Sequence, residues 1–352
     1  MSPDLQQALQ KQLSRWQFFA PCPGANASVI DAGAGRWDGA SGYADIDSMQ
    51  PMMPEACCYI YSITKTFTAV LVLQLAEQGA VSLDAPVIDY LPELSLPAAV
   101  TVRRLLNHTA GIPSYTDLPA YMPENRASPS VPWTYEQVLE YTCGGELLFP
   151  AGEGWRYSNT GYMLLHRLIE IVTGNSFAAS IARHIVAPLG LKDTYVACGV
   201  DEGRLVPGYC PYLNDQQVMQ DVMRIYHPGW CLTGLIVSTT KEIASFYQAL
   251  FDGRLLNPAS LQQMMSWTSC GNEPHPFFPR PGYGLGLMID PAWGFGGLYG
   301  HGGDGPGFNT WAMHLPDFHG RPLTLVIFCN ASMGAHPFQL SKNLLRVLAE
   351  HR

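Results

Sequence analysis

Apolar residues recur along this chain with two different periods, and each change of period marks a change of architecture. Leu5, Leu9, Leu13 and Trp16 stand three or four residues apart behind Ser2-Pro3-Asp4. That spacing predicts an opening amphipathic helix packed on a core. Ala27 to Asp31 and Arg36 to Tyr43 read as two short strands around the turn Ala32-Gly33-Ala34-Gly35. From about Tyr61 to Tyr226 the pattern becomes helical and loop-rich. Phe67, Val70, Leu71, Gln74, Leu75 and Gln78 predict one helix, ended by Gly79. Met163 to Val172 predicts a second, and Phe177 to Ile185 a third before Pro188-Leu189-Gly190. The last zone turns back to strands. Tyr283 to Ile289, Gly297 to Gly300, Asn309 to Leu315 and Leu323 to Cys329 are separated by Gly and Pro turns and read as an antiparallel meander. Leu340, Leu344, Leu345 and Leu348 stripe a closing helix over about Pro337 to Glu350. Pro113 to Pro132 is expected to be a polar, Pro-rich loop.

Strands at both ends with helices between them predict an α/β (α+β) fold. Residues 1–60 and 228–352 are expected to form a sheet domain, its antiparallel sheet flanked by the terminal helices. Residues 61–227 are expected to form an all-helical subdomain, with a ligand cleft between the two parts.

Composition narrows the class. The chain has 352 residues, 47% hydrophobic, with 20 basic against 29 acidic residues for a net charge of −9. This excludes a disordered chain and lacks the basic face a nucleic-acid partner needs. Met1 to Trp16 shows no apolar signal core or small-residue cleavage site, and the longest apolar stretch, Ala69 to Ala76, is too short to span a bilayer. The nine cysteines are odd in number and scattered, with no C-x-x-C pair. They read as small buried hydrophobes in a reducing compartment. The expectation is a cytoplasmic protein with neither a nucleic-acid nor a membrane partner. His166 and Glu170, one helical turn apart, read as a surface polar pair rather than a metal site.

Three stretches carry candidate chemistry. In Ser62-Ile63-Thr64-Lys65 a serine and a lysine share one helical face. The serine becomes a nucleophile if the lysine amine, desolvated by Tyr59, Ile60, Phe67 and Val70, is neutral enough to take its proton. The bland alternative is a capping serine beside an exposed lysine. In Tyr157-Ser158-Asn159 a phenol could relay protons if a nearby cation lowers its pKa, and an amide could bind a substrate carbonyl. The alternative is a turn that caps the next helix. Gly300 to Phe308 (GHGGDGPGF) allows close backbone approach, with His301 pointing into the cleft. A glycine-rich hairpin with a surface histidine is the alternative there. His108 reads as structural, and Trp155 and Tyr115 as either cleft or core. No G-x-S-x-G is present, which argues against an α/β-hydrolase.

Taken in order, S-x-x-K, Tyr-x-Asn and a basic-x-Gly triplet resemble the signature of the serine β-lactamase and penicillin-binding protein superfamily. The chain is similar to its class C-type branch of D-alanyl-D-alanine carboxypeptidases, D-aminopeptidases and esterases. Leu105 to Ile112, Phe149 to Tyr162, Pro188 to Leu191, Tyr283 to Gly286 and Gly300 to Phe308 extend the likeness over about residues 55 to 315. The resemblance implies Ser62 as nucleophile of an acyl-enzyme and Lys65 as its base. It implies Tyr157 as proton shuttle for the leaving group and the deacylating water, and Asn159 as holder of the acyl-side amide. It implies His301-Gly302-Gly303 as the substrate-binding triplet, and the backbone N–H groups of Ser62 and Asp304 as the oxyanion hole.

The triplet departs from the Lys-Thr-Gly of the β-lactamases. A histidine near pH 6.5 is a weaker anchor for a carboxylate, Gly302 supplies no hydroxyl, and Asp304 adds a negative charge that could pair with a substrate amino group. The expected function is metal-independent, cofactor-free hydrolysis of a small amide or ester through acyl-Ser62. It leans to a D-amino-acid-type peptidase or amidase acting on a small molecule or short peptide. A carboxylesterase is a close rival, and an acyltransferase or a silent sensor on the same fold are further alternatives. Specificity is expected in the loops Pro113 to Pro132 and Cys270 to Pro281. Nothing in the sequence fixes an oligomeric state.

Overall fold

The computed structural model describes residues 1–200, 203–271, 275–332 and 336–351. Helix α1 (Pro3–Phe19) starts on Ser2, whose hydroxyl accepts from Leu5 N–H, and buries Leu5, Leu9 and Leu13. The strands β1 (Gly24–Asp31), β2 (Gly35–Asp45) and β3 (Gln50–Pro51) follow. Helices α2 (Thr64–Glu77), α3 (Asn159–Thr173) and α4 (Thr240–Phe251) lie in the middle of the chain. The chain then returns through β4 (Thr268–Ser269), β5 (Gly282–Tyr283), β6 (Met288–Asp290), β7 (Leu298–Gly305), β8 (Phe308–Leu315) and β9 (Leu323–Cys329) to helix α5 (Pro337–Glu350).

These strands form one nine-stranded sheet in the order β3-β2-β1-β9-β8-β7-β6-β5-β4, all neighbours antiparallel. The pairing of β1 with β9, Ala25 opposite Cys329, joins the two ends of the chain at the sheet centre. Every residue of β9 is buried, because helices cover both faces. Leu323, Leu325 and Ile327 pack with α1 and α5, while Val326 and Phe328 point into the second cluster, around α2 and α4. A period of two along one strand therefore serves two cores.

The sequence pattern locates most of this, with differences that have physical causes. Tyr283 to Ile289 is a tight hairpin rather than one strand, because Gly286 takes φ +75° and Gly284 N–H bonds the Leu287 carbonyl at 2.8 Å. Pro113 to Pro132 is no plain loop: Tyr121–Ala127 is helical, and Tyr115 and Tyr121 are buried. Helix α3 begins four residues before Met163, where the Ser158 hydroxyl caps Gly161 N–H at 3.2 Å. Strand β7 runs on through the glycine motif, and the turn comes only at Pro306-Gly307. The middle of the chain is helical but carries two short ribbons. One joins Cys58–Tyr59, Ile236–Ser238 and Tyr195–Val196, and the other joins Tyr209–Cys210 and Gln220–Asp221. Among the cysteines, Cys22, Cys58, Cys143, Cys210 and Cys329 are buried, whereas Cys198 is exposed. No helix of the described residues is long and apolar enough to cross a membrane.

Helix α2 is held from two sides. Phe67 stacks on Phe246 of α4 with centroids 3.7 Å apart, and Thr66 Oγ1 donates to the Gly286 carbonyl at 2.8 Å. A Cβ on Gly286 would stand 2.5 Å from Ala69 Cβ and 2.8 Å from the Lys65 carbonyl, so only glycine lets this hairpin touch the helix at the level of Lys65. Gly286→Ala is therefore expected to cost about 1–3 kcal/mol. Urea melts of the purified variant test this, and an unchanged midpoint would show that the contact is not tight.

Candidate active site

The start of α2 and the edge of β7 face each other. Beyond Gly300, β7 has no ladder partner on its β6 side among the described residues, since that pairing ends at Met288 opposite Gly300. Residues 60–63 fill the gap. A Cβ on Gly303 would lie 2.2 Å from the Ile60 carbonyl, and one on Gly305 would lie 2.2 Å from the Tyr61 ring. The glycines thus admit the backbone of the serine segment. Tyr61 holds a left-handed φ of +46° directly before Ser62, and its hydroxyl donates to the Pro306 carbonyl. Strain of this kind needs surrounding structure to enforce it, and here the anchored phenol supplies that.

Lys65 is 0% exposed. Its Nζ lies 2.9 Å from Ser62 Oγ and 2.7 Å from Asn159 Oδ1. Burial lowers its pKa to about 7, with the nearby Cys231 opposing weakly. The Ser62 and Lys65 of the sequence motif are therefore in contact, and the amine is neutral enough to accept a proton near pH 7. Tyr157 interacts with the Ser62 side chain, but burial raises its pKa despite that bond. The sequence expectation that a cation would lower it is corrected: the half-neutral Lys65, 4.8 Å from the ring centroid, is no fixed charge. Tyr157 is a protonated donor.

Asn159 lines the cleft and is held by three neighbours. Its Oδ1 accepts from Lys65, its Nδ2 donates to Thr116 Oγ1 at 2.9 Å, and its backbone N–H donates to Ser114 Oγ at 3.1 Å. Ser114 and Thr116 were not visible as site residues. They sit in a stretch read as loop, without a motif of their own.

His301 requires a correction. It does not point into the cleft: it is 0% exposed. Its Nδ1 lies 2.6 Å from the Gly302 carbonyl, which can only accept, so Nδ1 carries the proton and Nε2 accepts from the Tyr283 hydroxyl at 2.8 Å. Burial first, then the Lys65 charge, lowers its pKa to about 3. A neutral His301 offers no cation to a carboxylate. Asp304 reaches solvent at the cleft mouth, and the partial burial of its carboxyl raises its pKa. His166, expected at the surface, is buried against Phe177 with ring centroids 3.5 Å apart, and its Nε2 meets Thr68 Oγ1 at 3.3 Å.

The cleft has a volume of about 450 Å³ and includes Ser62, Tyr157, Asn159, Gly303, Asp304 and Trp311. No Lys or Arg is among the described residues that line it. Tyr157 and Met288 also border an apolar side pocket of about 350 Å³, closed by Trp155, Phe278, Tyr283 and Ile289. Trp155 is therefore a pocket residue, while Tyr115 is core at 1% exposed. The loop Cys270 to Pro281 supplies part of this pocket, though its residues 272–274 lie outside the described residues.

Comparison with known proteins agrees with the geometry. The chain resembles a D-stereospecific amidohydrolase from a Streptomyces species at 31% identity and TM-score 0.82, covering 97% of each chain. It resembles a D-amino acid amidase from Ochrobactrum anthropi SV3, solved with D-phenylalanine, at 27% identity and TM-score 0.86, covering 99% and 100%. A Bacillus subtilis protein, penicillin-binding protein 4*, is 28% identical over 309 residues, which are 83% of this chain and 66% of that protein. The Beta-lactamase family model matches residues 19–349. This serine-hydrolase chain belongs to the beta-lactamase family.

Proposed function

We propose that the protein hydrolyses a small amide or ester of an apolar amino acid, leaning to the D-configured amides, through an acyl-Ser62 intermediate. The observation that carries this reading is the Lys65 amine, 2.9 Å from Ser62 Oγ, buried and with a pKa of about 7. Above that pH Lys65 takes the Ser62 proton as Oγ bonds to the substrate carbonyl carbon. The carbonyl oxygen becomes the tetrahedral oxyanion, facing the Ser62 and Asp304 N–H groups. Collapse of this intermediate expels the amine or alcohol, which leaves with a proton from Tyr157, replenished from the Lys65 ammonium. Water then attacks the acyl-enzyme, giving its proton through Tyr157 and Lys65 as Ser62 Oγ–H is restored. The sum is one acyl bond and one water consumed, one acid and one amine or alcohol released.

Two features support the substrate class. A cleft without a fixed cation disfavours substrates held by a carboxylate, β-lactams included, whereas Asp304 at its mouth suits an ammonium group. The apolar side pocket beside Tyr157 suits an apolar side chain. The D-specific relatives set the lean in configuration.

Three outcomes are expected. A fluorophosphonate should label the wild type and not Ser62→Ala, and the variant should lose turnover of D-amino-acid amides and p-nitrophenyl esters by on the order of 10⁶-fold. A wild type that neither labels nor turns over any of these would end the reading. The acylation rate should rise tenfold per pH unit below about 7 and level off above it. Lys65→Arg, which keeps its proton, should lack the plateau at any pH.

The third concerns stability. The unfolded chain keeps the Lys65 proton up to the ordinary lysine value of 10.5, while the folded chain loses it at about 7. Between those values the unfolded state binds more protons, so stability rises with pH. Burying the charge therefore costs most below pH 7. Lys65→Met should be more stable than the wild type there, by about 0.5–2 kcal/mol, with the gap narrowing as pH rises above 7. Melting curves from pH 6 to 10 measure it, and a gap independent of pH would refute it.

A further inference from the structure

His108 carries three features that a side chain kept only for packing does not need. Its φ of +63° is left-handed, a region where non-glycine residues are disfavoured. It is 1% exposed, and burial, followed by the charges of Lys65 and His301, holds its pKa well below the usual histidine range. Its Nε2 is buried with no hydrogen-bond partner. The opposite edge fixes the tautomer: Nδ1 accepts the Ser158 backbone N–H at 3.1 Å, so the ring proton sits on the unpartnered Nε2. Leucine would fill the space without an orphaned donor, and glycine or asparagine would relieve the backbone.

The contacts all converge on one turn. The His108 carbonyl accepts from Arg156 N–H at 3.0 Å, one residue before Tyr157, and Nδ1 accepts from Ser158, one residue after it. The imidazole lies 4.3 Å from the Tyr157 ring, tilted by 39°, with the Tyr283 ring 4.5 Å away on another side. Ser158 also caps α3, whose first residue is Asn159. One residue thus holds the backbone on both sides of Tyr157, its carbonyl on the Arg156 side and its imidazole on the Ser158 side, and the imidazole also packs on the Tyr157 ring.

We infer that His108 is a positioning residue for the reaction, holding Tyr157 and Asn159 in register with Ser62 and Lys65 through its bond to Ser158 and its contact with the Tyr157 ring. The inference rests on the acyl-Ser62 reading. A displacement of about 1 Å at such a site can cost about 10²-fold in rate.

The test compares His108→Asn, His108→Gln and His108→Leu with Leu13→Ala, a buried truncation on α1 remote from the cleft. Asn and Gln keep an acceptor, Leu keeps only bulk, and either acceptor variant suffices if the other does not fold. Turnover of a D-amino-acid amide and the rate of fluorophosphonate labelling are both read at a temperature where circular dichroism shows each variant folded. His108→Leu is expected to lose about 10²-fold in kcat with KM changed less than about threefold, and the acceptor variants to recover part of that loss. Leu13→Ala should lose melting temperature without losing kcat. A folded His108→Leu with wild-type kcat would overturn the inference, as would a loss expressed in KM alone or acceptor variants no better than Leu. A wild type that does not label would instead remove the acyl-Ser62 reading, so the two failures are distinct.

Discussion

Burying the Lys65 amine sets the terms for everything around it. An ammonium group withdrawn from water without a carboxylate loses hydration that nothing replaces, and it sheds its proton instead. Among the described residues, Nζ has hydrogen-bond contacts to Ser62 Oγ and Asn159 Oδ1. Both tolerate either protonation state, so neither forces the charge back on. Much of α2 around it is apolar: Phe67, Val70, Leu71 and Leu73 are all 0% exposed. A carboxylate in place of Asn159 would restore the ion pair and hold the amine protonated, which would end its use as a base. The amide is the polar group that fixes the amine without charging it.

The same environment decides the state of the neighbouring histidines. His108, His166 and His301 all have lowered pKa values, with burial as the first cause and the Lys65 charge as the second. Among these four buried groups only Lys65 carries a positive charge near neutrality, and it gives that charge up at about pH 7. In the proposed reaction, substrates are recognised by shape, apolar contact and backbone N–H groups rather than by an ion pair with a carboxylate. The third motif shows how this arises. Gly302 and Gly303 are present because Trp311 and the Ile60 carbonyl leave no room for a Cβ, and His301 between strand and hairpin serves Tyr283. In the proposed reaction the triplet acts chiefly through its backbone.

How legible this was in the sequence depended on range. Period and turn chemistry are local signals, and they located α1, β9 and α5 closely, because each is a single amphipathic or apolar run bounded by Gly, Pro or a capping residue. The proximity of Ser62 and Lys65 follows from helical spacing alone. The position of His301 did not: a histidine among glycines looks exposed, and only the pairing of β7 with β8 and the arrival of Tyr283 bury it. Ser114 and Thr116 were hidden because their bonds to Asn159 span more than forty residues. The hairpin at Gly284 to Leu287 reads as a strand because its alternation is genuine, while the contact that bends it lies on α2. What the chain concealed is long-range side-chain pairing, which no local period encodes.

Burying an amine this way obliges the fold to carry several unfavourable features within a small region. Tyr61 and His108 hold left-handed backbones, Lys65 is desolvated, and an imidazole donor lacks a partner. Each such feature costs about 1–3 kcal/mol, a sizeable share of the few to fifteen that a domain has in hand. They persist because α2, packed in the core that includes Tyr61, faces β7 of the sheet across residues 60–63. Neither side can relax the strain without moving β7 or α2, and both are fixed along their length by packing remote from the cleft. The nine-stranded sheet, closed by pairing the first strand with the last, makes that packing rigid enough for a neutral lysine to be kept against a serine.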